Sequence, residues 1–167
     1  MPLNLEDKKS IVAEVNAVAG KAFSAVAAEY RGLSVGEMTE LRVKARATGV
    51  YMRVVKNTLA RRAVEGTEFE CMKDGMVGPL VLAFSQQEPA SAARLIRDFA
   101  KGHDKLVVKV GAFGGQVLSA KDLDKLASMP TRDQALSLLL AVMKAPVEKL
   151  ARTLAAVRDQ KQEATAA

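Results

Sequence analysis

The pattern of this chain changes once, at Pro130, and that change divides what it can fold into. Up to Met129, segments with the two-residue period of strands interleave with segments of helical period. Thr131-Arg132-Asp133-Gln134 then reads as a capping box, and nothing from there to Gln162 resembles a strand or an ordinary loop, apart from Pro146. The expected fold class is therefore α+β (α/β sandwich-like) over residues 1–129, with a mixed sheet and flanking helices. A long, Pro-interrupted C-terminal helix with a disordered tail follows over residues 130–167.

Within the first part, Asn4 can cap a helix carrying Ile11, Val12, Val15 and Val18 on one face and ending at Gly20. Ala22–Ala28 reads as a strand that feeds the turn Tyr30-Arg31-Gly32-Leu33. Ser34-Val35-Gly36-Glu37 is a second capping box, opening a helix with Met38, Leu41 and Ala45 inward and Arg42 and Arg46 outward. Val50–Val55 alternates as a half-buried strand does, and Asn57 or Thr58 is placed to cap a short helix through Ala63. After Gly78-Pro79, Leu80–Phe84 is apolar throughout, as in a strand covered on both faces. Pro89 suits a helix start, Leu106–Val110 reads as a strand, Gly111–Leu118 turns back on it as a hairpin, and Ser119 caps a last short helix.

The C-terminal helix repeats itself. Leu136-Ser137-Leu138-Leu139-Leu140-Ala141-Val142-Met143-Lys144 aligns with Leu150-Ala151-Arg152-Thr153-Leu154-Ala155-Ala156-Val157-Arg158 at an offset of 14 residues. Two heptads bring both copies of the stripe to nearly the same side of a straight helix, with a drift of roughly 40°. Pro146 between the copies should kink the rod or separate it. Leu136, Leu139, Leu140, Met143, Val147, Leu150, Leu154 and Val157 are the expected docking residues, since a stripe this rich in leucine beside a domain with its own core is most simply covered by another chain. Packing on its own domain, or pairing with itself in a homo-oligomeric coiled-coil adaptor with a non-specific basic face, is the alternative.

Charge is unevenly placed. The chain carries 25 Lys and Arg against 19 Asp and Glu, a formal +6. Residues 1–62 hold 11 of the basic and 6 of the acidic side chains, a net +5, which leaves +1 for the other 105 residues. Between Glu40 and Glu65 there are seven basic residues and no acid, so the excess is a local patch and points to a polyanion. With no Trp and only Tyr30 and Tyr51, base stacking cannot be the main device, and recognition of folded RNA by phosphate and shape fits better. Lys56-Asn57 and Tyr30-Arg31-Gly32 each follow a strand and can meet at one edge of the sheet. Gly32 would let backbone approach a phosphate closely, and Lys8, Arg42, Arg46 and Arg53 would widen the surface.

Catalytic chemistry has little to work with. One Cys and one His exclude a Cys/His zinc set and a His-based triad, so no metal and no cofactor is expected. Gly111-Ala112-Phe113-Gly114-Gly115 lacks the third glycine of a dinucleotide loop and no helix start follows it. Cys71 lies among Glu68, Glu70 and Asp74, an acidic neighbourhood in which a structural or idle cysteine is expected and not a nucleophile, and His103 reads as a surface loop residue. The N-terminus has no basic segment leading into an apolar run, and no uncharged stretch reaches the roughly 18 residues of a membrane span, so a soluble, cytoplasmic protein with no membrane partner is expected.

The ordered set Tyr30-Arg31-Gly32-Leu33, Leu41-Arg42, Val54-Val55-Lys56-Asn57-Thr58-Leu59, Gly78-Pro79 before an apolar strand, and a closing amphipathic helix resembles the bacterial large-subunit ribosomal stalk protein L-ten family over essentially the whole chain. The resemblance implies a non-enzymatic base of the ribosomal stalk. Its N-terminal domain would bind large-subunit rRNA beside the neighbouring L-eleven protein. Its C-terminal helix would hold dimers of the acidic L-seven/L-twelve stalk protein, which recruit translational GTPases, so those are indirect partners. Tyr30, Arg31, Gly32, Lys56 and Asn57 match the family's RNA-side motifs, while Lys8, Arg42, Arg46 and Arg53 rest on charge placement alone. The twofold repeat adds an expectation of two dimers.

Overall fold

The computed structural model describes residues 4–103 and 105–166, with side chains as far as Gln162. They fall into two compact units, Met1–Met129 and Pro130–Ala167. In the first, α1 (Leu5–Ala19) leads into β1 (Ser24–Glu29), α2 (Val35–Ala47), β2 (Val50–Val54) and α3 (Asn57–Ala63). A 3-10 turn at Glu70–Gly75 precedes β3 (Leu80–Ser85), α4 (Ser91–Ala100), the hairpin β4 (Val107–Phe113) and β5 (Gln116–Leu118), and α5 (Ala120–Ser128). The α+β class is as the sequence predicts. The sheet, expected to be mixed, is antiparallel at every pairing, in the order β2-β3-β1-β4-β5.

Both faces of the sheet are covered, which explains the small, apolar composition of its inner strands. Val26 and Ala28 of β1 and Val81 and Ala83 of β3 join Leu41 and Ala45 of α2, Ile96 and Phe99 of α4 and Leu123 and Leu126 of α5 in one core. Alternate residues, Ala25 and Ala27 of β1 with Leu80, Leu82 and Phe84 of β3, meet Val15 and Ala19 of α1, Ala60 and Ala63 of α3 and Phe69, Met72 and Met76. Period-two alternation thus sends each inner strand into two cores at once.

Local chemistry places most element ends where the sequence puts them. Asn4 caps α1, its backbone N–H donating to Asp7 at 3.2 Å, and Ser34 caps α2, its N–H donating to Glu37 Oε2 at 2.6 Å. Two details differ. The cap of α3 is Lys56, because Asn57 instead spends its side-chain amide on Gly78 O at 2.8 Å. The hairpin begins later than predicted: β4 runs on through Gly111 to Phe113, and the chain reverses at Gly114-Gly115, whose φ values of 57° and 76° suit the two-residue turn of a twisted hairpin. Gly111 is required for another reason, since a Cβ there would stand 2.5 Å from Leu123 Cδ2.

His103, expected as a surface loop residue, is half-buried. Its ring stacks on Phe99 with centroids 4.1 Å apart and planes 3° from parallel, and Nε2 lies 3.9 Å from Glu37 Oε1. Cys71 is half-buried too, its thiol 3.8 Å from Glu68 O.

The second unit is a single helix, α6 (Arg132–Ala166). Its start is the predicted capping box: Thr131 N–H donates to Gln134 Oε1 at 3.1 Å and Gln134 N–H to Thr131 Oγ1 at 3.3 Å. Pro146 lies inside the helix, which continues on both sides of it as one element and not as two segments. The tail expected beyond Gln162 is described only as helical backbone as far as Ala166.

Candidate functional site

Antiparallel pairing decides which loops share an end of the sheet. Glu29, the last residue of β1, pairs with Leu80, the first of β3, and with Val107, the first of β4; Val54, the last of β2, pairs with Val81. The segments after β1 and β2 and those before β3 and β4 therefore meet at one end. Here lies an open cleft of about 590 Å³, lined by Tyr30, Arg53, Lys56 and Asn57 together with Ile11 of α1 and the Gly78-Pro79 loop. Two hydrogen bonds fix its floor: Asn57 donates to Gly78 O, and Tyr30 N–H donates to Pro79 O at 3.3 Å.

Arg31 and Gly32 do not line this cleft but follow its residue Tyr30, in a turn closed by Leu33 N–H to Tyr30 O at 3.2 Å. Gly32 holds the third position with φ +88°, the backbone a type II turn demands of that residue and one that L side chains adopt at a cost. The exposed Arg31 and Lys56 have no ion pair among the described residues. Among the described residues, two acids at this end, Glu37 and Glu29, are engaged. Glu37 is consumed in capping α2, and the backbone N–H of Ser34 holds its carboxyl below the usual range. Glu29 is paired with Lys109 at 3.0 Å.

Arg53 stands differently from Lys56. Its Nη1 is ion-paired with Glu14 of α1 and lies 3.2 Å from Tyr51 Oη, while Tyr51 donates its hydroxyl to Glu14 Oε1 at 2.7 Å. These bonds, the one from Tyr51 first and that from Arg53 next, lower the Glu14 pKa, so the carboxylate stays ionised and offsets the guanidinium. Burial, foremost, raises the Tyr51 pKa, keeping the phenol a donor.

The remaining predicted cations are not brought into the cleft. Lys8 faces a separate groove between α1 and α3, with Lys9 and Arg62. Arg42 and Arg46 are exposed on α2, in the helical layer across the sheet from α1 and α3, so they do not widen the cleft as expected. Sequence reasoning, for its part, gave no site role to Gly78-Pro79. That loop became visible as a cleft wall only through the register that sets it beside Tyr30. Among the described residues no group of three or more His, Cys, Asp or Glu could hold a metal ion, and no helix is long and apolar enough to cross a membrane.

On α6 the predicted docking residues Leu136, Leu139, Leu140, Met143, Val147, Leu150, Leu154 and Val157 are 49% to 71% exposed. Leu136, Leu140, Met143, Val147, Leu150, Leu154 and Val157 are spaced alternately by four and three, the spacing of a heptad stripe.

Both units match known families. The model for "Ribosomal protein L10" covers residues 3–101 and that for "Ribosomal protein uL10 C-terminal region" covers residues 129–164. The large ribosomal subunit protein uL10 of Thioalkalivibrio sulfidiphilus is 68% identical over 173 residues, covering 97% of this chain and 98% of that protein. The protein of the same name from Alcanivorax borkumensis is 61% identical over 175 residues, covering 98% and 99%. That from Pseudomonas fluorescens is 54% identical over 166 residues, covering 99% and 100%. The chain thus belongs to the ribosomal protein L10 family, structural proteins of the large ribosomal subunit and not enzymes.

Proposed function

We propose that this protein is the base of the ribosomal stalk, acting in the cytoplasm as part of the large subunit. Its first unit anchors on large-subunit rRNA through the end of the sheet where Tyr30, Arg31, Gly32, Lys56 and Asn57 converge. The observation that carries this reading is the charge balance there: among the described residues Glu14, Glu29 and Glu37 are engaged by a cap or an ion pair, while Arg31 and Lys56 have none. Such an end attracts phosphate, and with Tyr30 half-buried and Tyr51 bound to Glu14 it recognises RNA by backbone and shape. Arg53 shapes the cleft wall at reduced charge. Lys8, Arg42 and Arg46 would reach only RNA that extends beyond the cleft. The L-eleven protein is the expected neighbour on the same RNA.

The second unit holds the acidic L-seven/L-twelve dimers along the exposed seam of α6, and these recruit the translational GTPases. The two copies of the stripe on either side of Pro146 support two dimers. Native mass spectrometry of the co-expressed complex tests this directly, with a mass for two dimers expected; a three-dimer mass, or self-association of the chain in place of dimer binding, refutes it. A chain ending at Ala145 should keep one dimer and full RNA binding, and loss of RNA binding would overturn the division of labour. Arg31→Ala and Lys56→Ala should each flatten the log–log salt dependence of RNA binding by about 0.7 to 0.9, whereas unchanged slopes would remove both from the interface.

A further inference from the structure

On the β1–β4 side of the cleft the Tyr30–Leu33 turn lies against Lys105, whose neighbour Leu106 donates its N–H to His103 O at 3.0 Å. The space that a side chain at Gly32 would border is taken by Lys105, whose Cδ, Cγ and Cβ stand 3.4, 3.9 and 4.0 Å from the position of a Cβ at residue 32. The aliphatic stem of Lys105 thus rests on the turn that carries Arg31, and the residue is exposed. Lys105 has no ion pair among the described residues, whereas Lys109, four residues on, is neutralised by Glu29. Glu37, whose carboxyl lies in the field of Lys105, is already held as the cap of α2 by Ser34 N–H.

We propose that Lys105, together with Arg31, forms a second phosphate-binding point of the RNA interface, distinct from the one at Lys56. This rests on the reading of that end of the sheet as the RNA anchor. Lys56 follows β2 and Lys105 precedes β4, and β2 and β4 are three steps apart in the strand order. At about 4.8 Å per step they are roughly 14 Å apart, too far to grip one phosphate. The interface therefore runs along the sheet end, from Lys56 past Asn57, Pro79 and Tyr30 to Arg31 and Lys105, and holds at least two phosphates. Lys105 belongs to the stretch of sequence with almost no net charge, and only the strand order places it here.

The test measures binding of the full chain to a large-subunit rRNA transcript between about 50 and 200 mM salt. Lys105→Ala should flatten the log–log slope by about 0.7 to 0.9, so that the wild-type protein loses about threefold more affinity than the variant over that range. Lys105→Arg should restore the slope. Lys56→Ala with Lys105→Ala should change it by the two single effects added together, as separate sites do. Lys21→Ala removes another exposed lysine, at the opposite end of β1, and should leave the slope alone. A Lys105→Ala slope equal to that of Lys21→Ala, with Lys56→Ala flattened, overturns the proposal and leaves the anchor reading standing. Failure of the wild-type protein to prefer this RNA over an unrelated one overturns both.

Discussion

Arg53 offers a sharp test of how charge works at the cleft, because the structure gives it a partner that the sequence does not reveal. Glu14 is a helix residue 39 positions away, and its carboxylate meets Arg53 Nη1 and the Tyr51 hydroxyl. Those hydrogen bonds depress the Glu14 pKa, so at neutral pH the carboxylate is fully ionised and Arg53 contributes little net charge to the cleft. Glu14→Gln keeps the size and leaves an oxygen for Tyr51 and Arg53, but removes the negative charge. If Arg53 then becomes a full phosphate contact, the log–log salt slope steepens by about 0.7 to 0.9. Over a fourfold rise in salt this is about threefold more affinity lost than in the wild-type protein, from a tighter starting point at low salt. Arg53→Ala in the wild-type background should flatten the slope less than Lys56→Ala. Filter binding at four or five salt concentrations reads all three variants. If Glu14→Gln leaves the slope where it was and Arg53→Ala flattens it as much as Lys56→Ala, Glu14 does not offset Arg53, which would already grip phosphate at full charge.

Other consequences are structural. Gly111→Ala forces a methyl to within 2.5 Å of Leu123 Cδ2 and 3.1 Å of its Cγ in a closed core, and should lower unfolding stability by about 1–3 kcal/mol in urea titration; combined with Leu123→Ala the two losses should fall short of their sum, and strict additivity would argue against a clash. Gly32→Ala meets no close atom, with Lys105 Cδ at 3.4 Å, so its penalty is the φ of +88° alone, about 1–2 kcal/mol by the same titration, and Gly32→Asn should lose less. Glu14, Glu37, Glu70 and Asp122 all have depressed pKa values in the fold, each led by a hydrogen bond from Tyr51, Ser34, Lys73 or Ser119 respectively. Their contribution to stability is present above the ordinary carboxylate pKa of about 4 and is lost as pH falls through the lower folded values, so the urea midpoint should decline below about pH 4. Glu37→Gln should shrink that decline, and an unchanged acid limb would show that the cap does not carry it.

The elements themselves were legible because local signals and burial agree: capping boxes at Ser34 and Thr131, a fully apolar β3, a glycine pair at the hairpin. Pairing was the hidden part. Nothing local tells β1 to lie between β3 and β4, and that order alone brings Gly78-Pro79 and Lys105 to the residues the motifs had already marked. The same ignorance of layers made Arg42 and Arg46 look like partners of Lys56, when α2 packs on the other face of the sheet. The acid-free run between Glu40 and Glu65 was likewise a poor guide to any one side chain, since it counts Arg53 as a free cation although its partner Glu14 stands on α1.

In α6 the position of Pro146 reaches further than its effect on shape. The proline has no N–H to donate to Val142 O, so the helical ladder lacks one bond there, four residues before the second copy of the stripe opens at Leu150. A helix with its large apolar side chains in water gains little from propensity alone and is held by whatever covers it. With the weakest point of the ladder between the copies, ordering one copy against a partner does not demand that the other be ordered too. On the stalk reading each dimer can dock or leave independently. Pro146→Ala restores the missing bond and joins the copies into one cooperative rod. Isothermal titration of L-seven/L-twelve into the variant should therefore show coupling between the two docking events that the wild-type chain lacks. Identical, uncoupled sites in both proteins would mean that the proline serves shape alone.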